Sequence, residues 1–203
     1  ASAQTIAERY ATVYEDHPSV LAFNLADDSV PDERSRRAVV AMQSADPRPS
    51  ACMWRYGPPL GIDDDLKLFV SYTYPCGRNA ADEENPEGDF HRSTFSSLGT
   101  GSDWVDRIRW VLEDVPADVT KWFILQAHMT TTGDPGTKLR YPTPREMRKQ
   151  VWIAIGEGIH GFFWFAWGKQ TDNWLGLSDV TRTDCMHVAA EMAGRLTPEI
   201  RKA

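Results

Sequence analysis

An α/β fold built from parallel β/α units is what these 203 residues predict. Five short runs read as strands, the first of them, Val20 to Ala26, apolar without alternation, and segments with helical spacing separate them. Gly, Pro or Asp stands at most of the junctions. Runs this short, apolar on both sides, suit strands covered on both faces, as in a parallel sheet. Strands alternating with helices then imply right-handed crossovers.

The elements follow in order. Residues 3–15 read as a helix with Ile6, Tyr10, Val13 and Tyr14 on one face at helical spacing, and Pro18 stops it. Val20 to Ala26 is a first strand, ended by Asp27-Asp28-Ser29. Pro31 fits a first helical turn, and residues 31–44 continue with Val39, Val40 and Met42 inward. Ser50 to Tyr56 is a second strand, closed by Gly57-Pro58-Pro59, and Leu66 to Tyr74 a third, closed by Pro75. Cys76 to Gly101 has no periodicity, and a loop of that length inside a domain is usually functional.

Residues 102–114 resume as a helix through Trp104, Ile108, Val111 and Leu112, and Lys121 to Ala127 is a fourth strand. Thr143-Pro144-Arg145-Glu146 is the clearest helix start in the chain. Thr stands at the N-cap, Pro at the first helical position and Glu at the third. That helix runs to Glu157, with Gly158 as a left-handed cap. Gly161 to Trp167 is a fifth strand, and residues 183–196 form a last helix. Trp104, Trp110 and Trp152, with Phe162, Phe163 and Phe165, are expected in the core.

Composition narrows the function. With 22 basic against 29 acidic side chains the chain carries −7, a poor match to the basic stripe that binds nucleic acid. No apolar run approaches the roughly 18 residues that span a bilayer, so no membrane partner is expected. Cys52, Cys76 and Cys185 have neither CxxC nor Cys/His ligand spacing. No HExxH, His-x-His or calcium-loop pattern occurs, and no metal or organic cofactor is expected. Eight tryptophans are many for this length, and an indole face is a common platform for sugar rings. Nothing in the chain decides its compartment.

Five strands are too few for a closed (β/α)₈ barrel, which takes roughly 250 residues. The expectation is a single domain over 1–203, a barrel lacking about three β/α units on its N-terminal side. A missing segment or a partner chain would complete it; an open sheet is the alternative.

Parallel α/β folds carry their sites at the carboxyl ends of the strands. Those ends bring Asn24, Asp27 and Asp28; Trp54 and Tyr56; Tyr72 and Tyr74; Gln126 and His128; and Trp164 and Trp167. Carboxylates accept hydroxyl protons, amides bond in pairs, and indoles cover the apolar face of a pyranose.

HPSVLAFNLADDS (17–29) resembles the fourth-strand segment of clan-A glycoside hydrolases. YPTPREMRKQVWIAIGEGIHGFFWFAWG (141–168) is similar to their seventh helix and eighth strand, and NWLGLSDVTRTDCMHVAAEMAGRL (173–196) to their closing loop and last helix. The resemblance spans the third through the eighth helix of such a barrel. It implies a retaining glycosidase with an acid/base carboxylate after strand four and a nucleophilic Glu after strand seven. Carried over, Asp28 takes the acid/base position, Asp27 the one before it, and Tyr74-Pro75 the Tyr-Pro after strand six. Asn24, Trp54, Tyr72, Tyr74, Gln126, His128, Trp164 and Trp167 would contact the sugar. The chain departs from the pattern at Gln126, since a glutamine cannot form a glycosyl ester, and at Asp28, one methylene shorter than Glu.

Retention needs two carboxyls about 5–5.5 Å apart and inversion about 6.5–9.5 Å. Asp27 and Asp28 are neighbours and point apart on an extended chain. A second carboxylate would come from Asp82, Glu83, Glu84, Glu87, Asp89, Asp134, Asp172 or another segment. Each candidate also has a plainer role. Asp28 suits a helix cap, Gln126 a satisfied buried amide, His128 a packed ring, and Glu157 a surface or capping position. The expectation is a glycoside-hydrolase-like protein acting on carbohydrate, with a non-hydrolysing carbohydrate-binding or structural barrel module as the alternative.

Overall fold

The structure, a computed structural model, describes residues 3–14, 17–25, 32–48, 50–51, 53–54, 66–76, 104–131, 139–168, 173–178 and 182–200. Its elements are α1 (Ala3–Tyr14), β1 (Phe23–Asn24), α2 (Glu33–Ala45), β2 (Ser50–Ala51), β3 (Met53–Trp54), β4 (Leu68–Tyr72) and α3 (Trp104–Leu112). There follow β5 (Thr120–Gln126), β6 (Met129–Thr130), α4 (Pro144–Gly156), β7 (Gly161–Phe165), β8 (Trp174–Leu175) and α5 (Thr183–Ile200). The chain divides into two compact units, 1–72 with 110–122 and 73–109 with 123–203. The fold is mixed α/β with parallel pairing, as expected; four of the five expected strands are found with shifted ends, and the expected Ser50–Tyr56 strand is divided into β2 and β3, which pair in different sheets. No closed sheet forms among the described residues.

In the first unit β1 runs parallel to β2, with Phe23 opposite Ser50 and Asn24 opposite Ala51. β3 runs parallel to β4, with Met53 opposite Val70 and Trp54 opposite Ser71. Ser71 Oγ donates to Trp54 O at 2.8 Å across that pair. The start of β5 neighbours β4, where Thr120 N–H donates to Lys67 O at 3.2 Å. Leu68, Phe69 and Val70 are all buried, which explains the unalternating run: both faces of β4 are covered.

Helix α2 starts at a reciprocal cap. Asp32 Oδ1 accepts from Ser35 N–H at 2.8 Å, and Asp32 N–H donates back to Ser35 Oγ at 3.3 Å. That backbone N–H holds the Asp32 carboxyl below its ordinary pKa. Val39 and Met42 are buried as expected.

Helix α1 forms as expected, but its apolar stripe is not the face that is covered. Ala7 and Ala11 are its buried side chains, grouped with Met42 of α2 and packed by Phe23 and Leu25. Ile6, Tyr10, Val13 and Tyr14 stay between 40% and 72% exposed. Periodicity locates an apolar stripe but not the face a neighbour touches. Small alanines let two helices approach closely, and that contact decided the orientation.

In the second unit the end of β5 neighbours β7, and Ala127 N–H donates to Phe165 O at 2.6 Å. A short antiparallel pair, β6 with β8, sets Met129 opposite Leu175 and Thr130 opposite Trp174. This pair was not expected, because two-residue strands carry no periodic signal. Helix α4 has the expected capping box. Glu146 N–H donates to Thr143 Oγ1 at 3.2 Å, and Thr143 N–H to Glu146 Oε2 at 2.7 Å. Gly158 has φ +84°, a backbone conformation that glycine adopts without steric cost. Glu157 caps α4 and pairs with Arg109 of α3 at 2.8 and 3.0 Å.

Trp104 and Ile108 are buried as read, whereas Trp110, Trp152 and Phe163 are exposed, a second correction. Of the expected long loop only Cys76 is described; the rest of it, with Asp82, Glu83, Glu84, Glu87 and Asp89, and likewise Asp134 and Asp172, lie outside the described residues.

Candidate functional site

The carboxyl end of β5 carries two polar side chains of opposite character, both fully buried. Gln126 is the first. Its Oε1 accepts from Cys76 N–H at 2.8 Å, and its Nε2 donates to Cys76 O at 3.1 Å. The amide thus pairs with Cys76 as a neighbouring strand would. The same Nε2 lies 2.9 Å from Arg140 O and 3.2 Å from His128 O. Gln150, from α4, repeats the device one layer out. Its Oε1 accepts from Gln126 N–H at 2.8 Å, and its Nε2 donates to Gln126 O at 3.1 Å. Buried backbone groups need partners, and two amide side chains supply them where the sheet does not.

The anchorage extends to an ion pair. The Arg140 guanidinium meets the Glu146 carboxylate at 2.6 and 2.8 Å. Burial pushes the Glu146 carboxyl up, but the Arg140 and Thr143 hydrogen bonds outweigh it, and its pKa is lowered overall. Burial also raises the Cys76 thiol well above its ordinary range, so it is inert as a nucleophile.

His128 is the second side chain. Its Nδ1 lies 2.7 Å from Phe165 O, which fixes a donating Nδ1–H and leaves Nε2 as an acceptor. Among the described residues that buried Nε2 has no hydrogen-bond partner. Desolvation lowers the imidazole pKa to about 4, against the raising effect of the Phe165 carbonyl, so the ring is neutral at physiological pH. Three rings surround it. Trp174 stacks on it at 4.9 Å and 22°. Tyr74 meets it edge-on at 4.6 Å and Phe165 at 5.1 Å. Tyr74 is buried, whereas Phe165 and Trp174 are only partly covered. The Phe165–Ala166 peptide is cis. The imidazole thus stands buried and neutral among three rings, two of them only partly covered.

The remaining expected residues are distributed as follows. Asp27, Asp28 and Tyr56 lie outside the described residues. Asn24, Trp54 and Tyr72 belong to the first unit. There Asn24 is exposed, Tyr72 half-buried, and Trp54 fully buried against Phe69 at 5.7 Å. Tyr74, Gln126, His128, Trp164 and Trp167 belong to the second unit. Of these, Tyr74 and His128 are in mutual contact, and Gln126 Nε2 touches the His128 carbonyl. Trp164 packs edge-on to Phe162 at 5.6 Å, two residues away on β7 and hence on the side opposite Phe165. Trp167 lies just past β7 and is 59% exposed.

Sequence reading missed Trp174. It stands in a stretch read as closing loop, and only the pairing of β8 with β6 brings it over His128. Among the described residues no group of three or more His, Cys, Asp or Glu side chains could hold a metal ion. No helix among them is long and apolar enough to cross a membrane.

No protein-family model matches the chain, and neither the curated proteins nor the solved structures contain a match to it.

Proposed function

We infer that the chain is a glycoside-hydrolase-like protein that takes carbohydrate at the carboxyl ends of β5 and β7. One observation carries the reading: the unpaired acceptor Nε2 of His128 beneath the half-open rings of Trp174 and Phe165. Pyranoses present an apolar C–H face and a ring of hydroxyl donors, the two features such a group recognises. With a pKa near 4 the imidazole is a poor proton acceptor at neutral pH, so its role is to receive a hydroxyl hydrogen bond, not to act as a general base. In the hydrolytic form the resemblance of residues 17–29 gives Asp28 the protonation of the leaving glycosidic oxygen. A panel of aryl glycosides tests this: turnover by the chain that falls at least about a hundredfold in Asp28→Asn supports acid catalysis. Undiminished turnover removes Asp28 from the chemistry.

The binding-only reading has its own support at Gln126. Its amide oxygen and both amide hydrogens are taken up by backbone groups, and no glycosyl ester can form there. Titration calorimetry that detects sugar binding without product release in any glycoside decides for it. In both forms the reading includes a further polypeptide segment that completes the sheet. The exposed stripe of α1 and the exposed Phe163 of β7 support it, since apolar surface of this kind usually meets a partner.

A further inference from the structure

The nitrogen that His128 leaves unbonded lies under a cover. Among the described residues Nε2 is buried without a hydrogen-bond partner, and Trp174 of β8 stacks on the ring at 4.9 Å. β8 is two residues long and pairs with the equally short β6. Thr131 N–H extends that pairing to Asn173 O at 2.9 Å. The chain just beyond β8 is fastened more tightly. Tyr141 Oη donates to Gly176 O at 2.8 Å, Leu177 N–H to Ala166 O at 3.1 Å, and Ser178 N–H to Trp167 O at 2.9 Å. A Cβ on Gly176 would lie 2.6 Å from the carbonyl oxygens of Ala166, Trp167 and Gly168, so this anchor is close-packed. Residues 173–175 thus continue from a firm anchor into a short pairing. Pairings of two residues are marginal by themselves and open locally while the rest of a fold stays closed.

A proton on His128 works against that cover. Nδ1–H is already spent on Phe165 O at 2.7 Å. A proton added at Nε2 makes a second donor, for which no described residue places an acceptor. The groups that face the imidazole are uncharged. Phe165 of β7 and Trp174 of β8 are apolar rings, Gln126 of its own strand is an amide, and Tyr74 is a phenol. Met129 and Thr130 of β6 do not titrate. The Arg140–Glu146 pair is closed on itself, and Arg140 reaches this strand end through its carbonyl at Gln126 Nε2. An imidazolium enclosed here has neither water nor a counter-charge.

We propose that residues 173–175 form a proton-gated strap: protonation of His128 lifts Trp174 off the imidazole and parts β8 from β6, with residues 176–178 as the hinge. The proposal goes beyond the carbohydrate reading and stands whether or not the ring cluster takes sugar. Its size follows from linkage. The covered ring titrates at about 4 and an uncovered one near 6.5. Closure is therefore complete above pH 6.5 and is lost as the pH falls toward 4. Opening becomes about fiftyfold more frequent at pH 4.5 than at pH 7.

Amide hydrogen exchange read by mass spectrometry is the test. Protection factors of 129–131 and 173–175 fall about fiftyfold from pH 7 to pH 4.5. Those of β4, of β5 and of the Leu177 and Ser178 anchor stay as they are. His128→Phe removes the pH dependence of the strap. If that variant does not fold, NMR of the wild type decides, since the His128 ring then titrates over the same range in which the strap loses protection. Constant strap protection between pH 7 and pH 4.5 overturns the gate, and so does an equal loss in His128→Phe. Simultaneous loss in β4 and β5 overturns it as well, because that is acid unfolding of the chain and not movement of a strap. A ring that titrates outside the range of strap opening overturns the coupling.

Discussion

Gln126 and His128 stand two residues apart at the end of one strand, and both are buried. Around Gln126 the polar account closes. Its amide reaches Cys76, Arg140 and the His128 carbonyl, Gln150 holds its backbone, and Arg140 leads on to Glu146 and Thr143. Around His128 it does not close: one nitrogen is bonded, the other is not, and the neighbours are rings. A saturated network has nothing left to offer a ligand, and its task is to hold backbone. A buried unpaired polar atom costs free energy, and among the described residues Trp54 Nε1 and Trp164 Nε1 share that state.

The comparison breaks most visibly at Gln126. Gln126→Glu restores the carboxylate of the resembled family, yet an ionised Glu has no hydrogen for the carbonyls of Cys76, His128 and Arg140. We expect a loss of about 3–5 kcal/mol in urea unfolding, from several buried groups left unpaired at about 1–3 kcal/mol each, and no gain of glycosidase activity. A variant that folds as stably as wild type and hydrolyses aryl glycosides would remove the distinction between the two regions.

Acid titration comes next in size. The His128 pKa drops from an ordinary 6.5 to about 4 on folding. Between those values the unfolded chain binds more protons than the folded one, so stability rises with pH and is lost as pH falls from about 6.5 to 4. At about 1.4 kcal/mol per unit this single group contributes about 3 kcal/mol of acid destabilisation. Glu146, whose carboxyl is lowered, loses its contribution only at more acid pH. His128→Phe keeps a ring in the cluster and removes the titration. Its unfolding free energy is expected to be flatter than that of wild type across this window, and parallel curves would show that His128 does not titrate as a buried group.

The smallest effect lies at the rim of the anchorage. Thr143→Ala removes the Oγ1 that accepts from Glu146 N–H and costs about 1 kcal/mol, the usual loss of a helix cap. Sugar affinity is expected to stay constant in that variant. A parallel loss of affinity would mean that the Gln126 network and the ring cluster act as one unit.

Much of this was legible in the chain. Thr143, Pro144, Glu146 and Gly158 announced α4 because capping is chemistry between residues close in sequence. The covered strands were equally visible, since Leu68 to Val70 and Phe123 to Leu125 need no partner to be named apolar. The site was less so. Gln126 and His128 were picked out by their place at a strand end, but which one was saturated depended on Cys76, 50 residues away in sequence, and on Gln150. Trp174 was hidden because its strand is two residues long.

Local sequence decided where helices begin and strands run, because caps, turns and apolar periodicity act over a few residues. It could not decide which face of α1 is covered, since Ala7 and Ala11 outcompete larger side chains only once α2 lies against them. Nor could it tell a spent amide from an open imidazole. Hydrogen-bond saturation and burial belong to groups brought together from distant parts of the chain, and only the folded structure sets their partners.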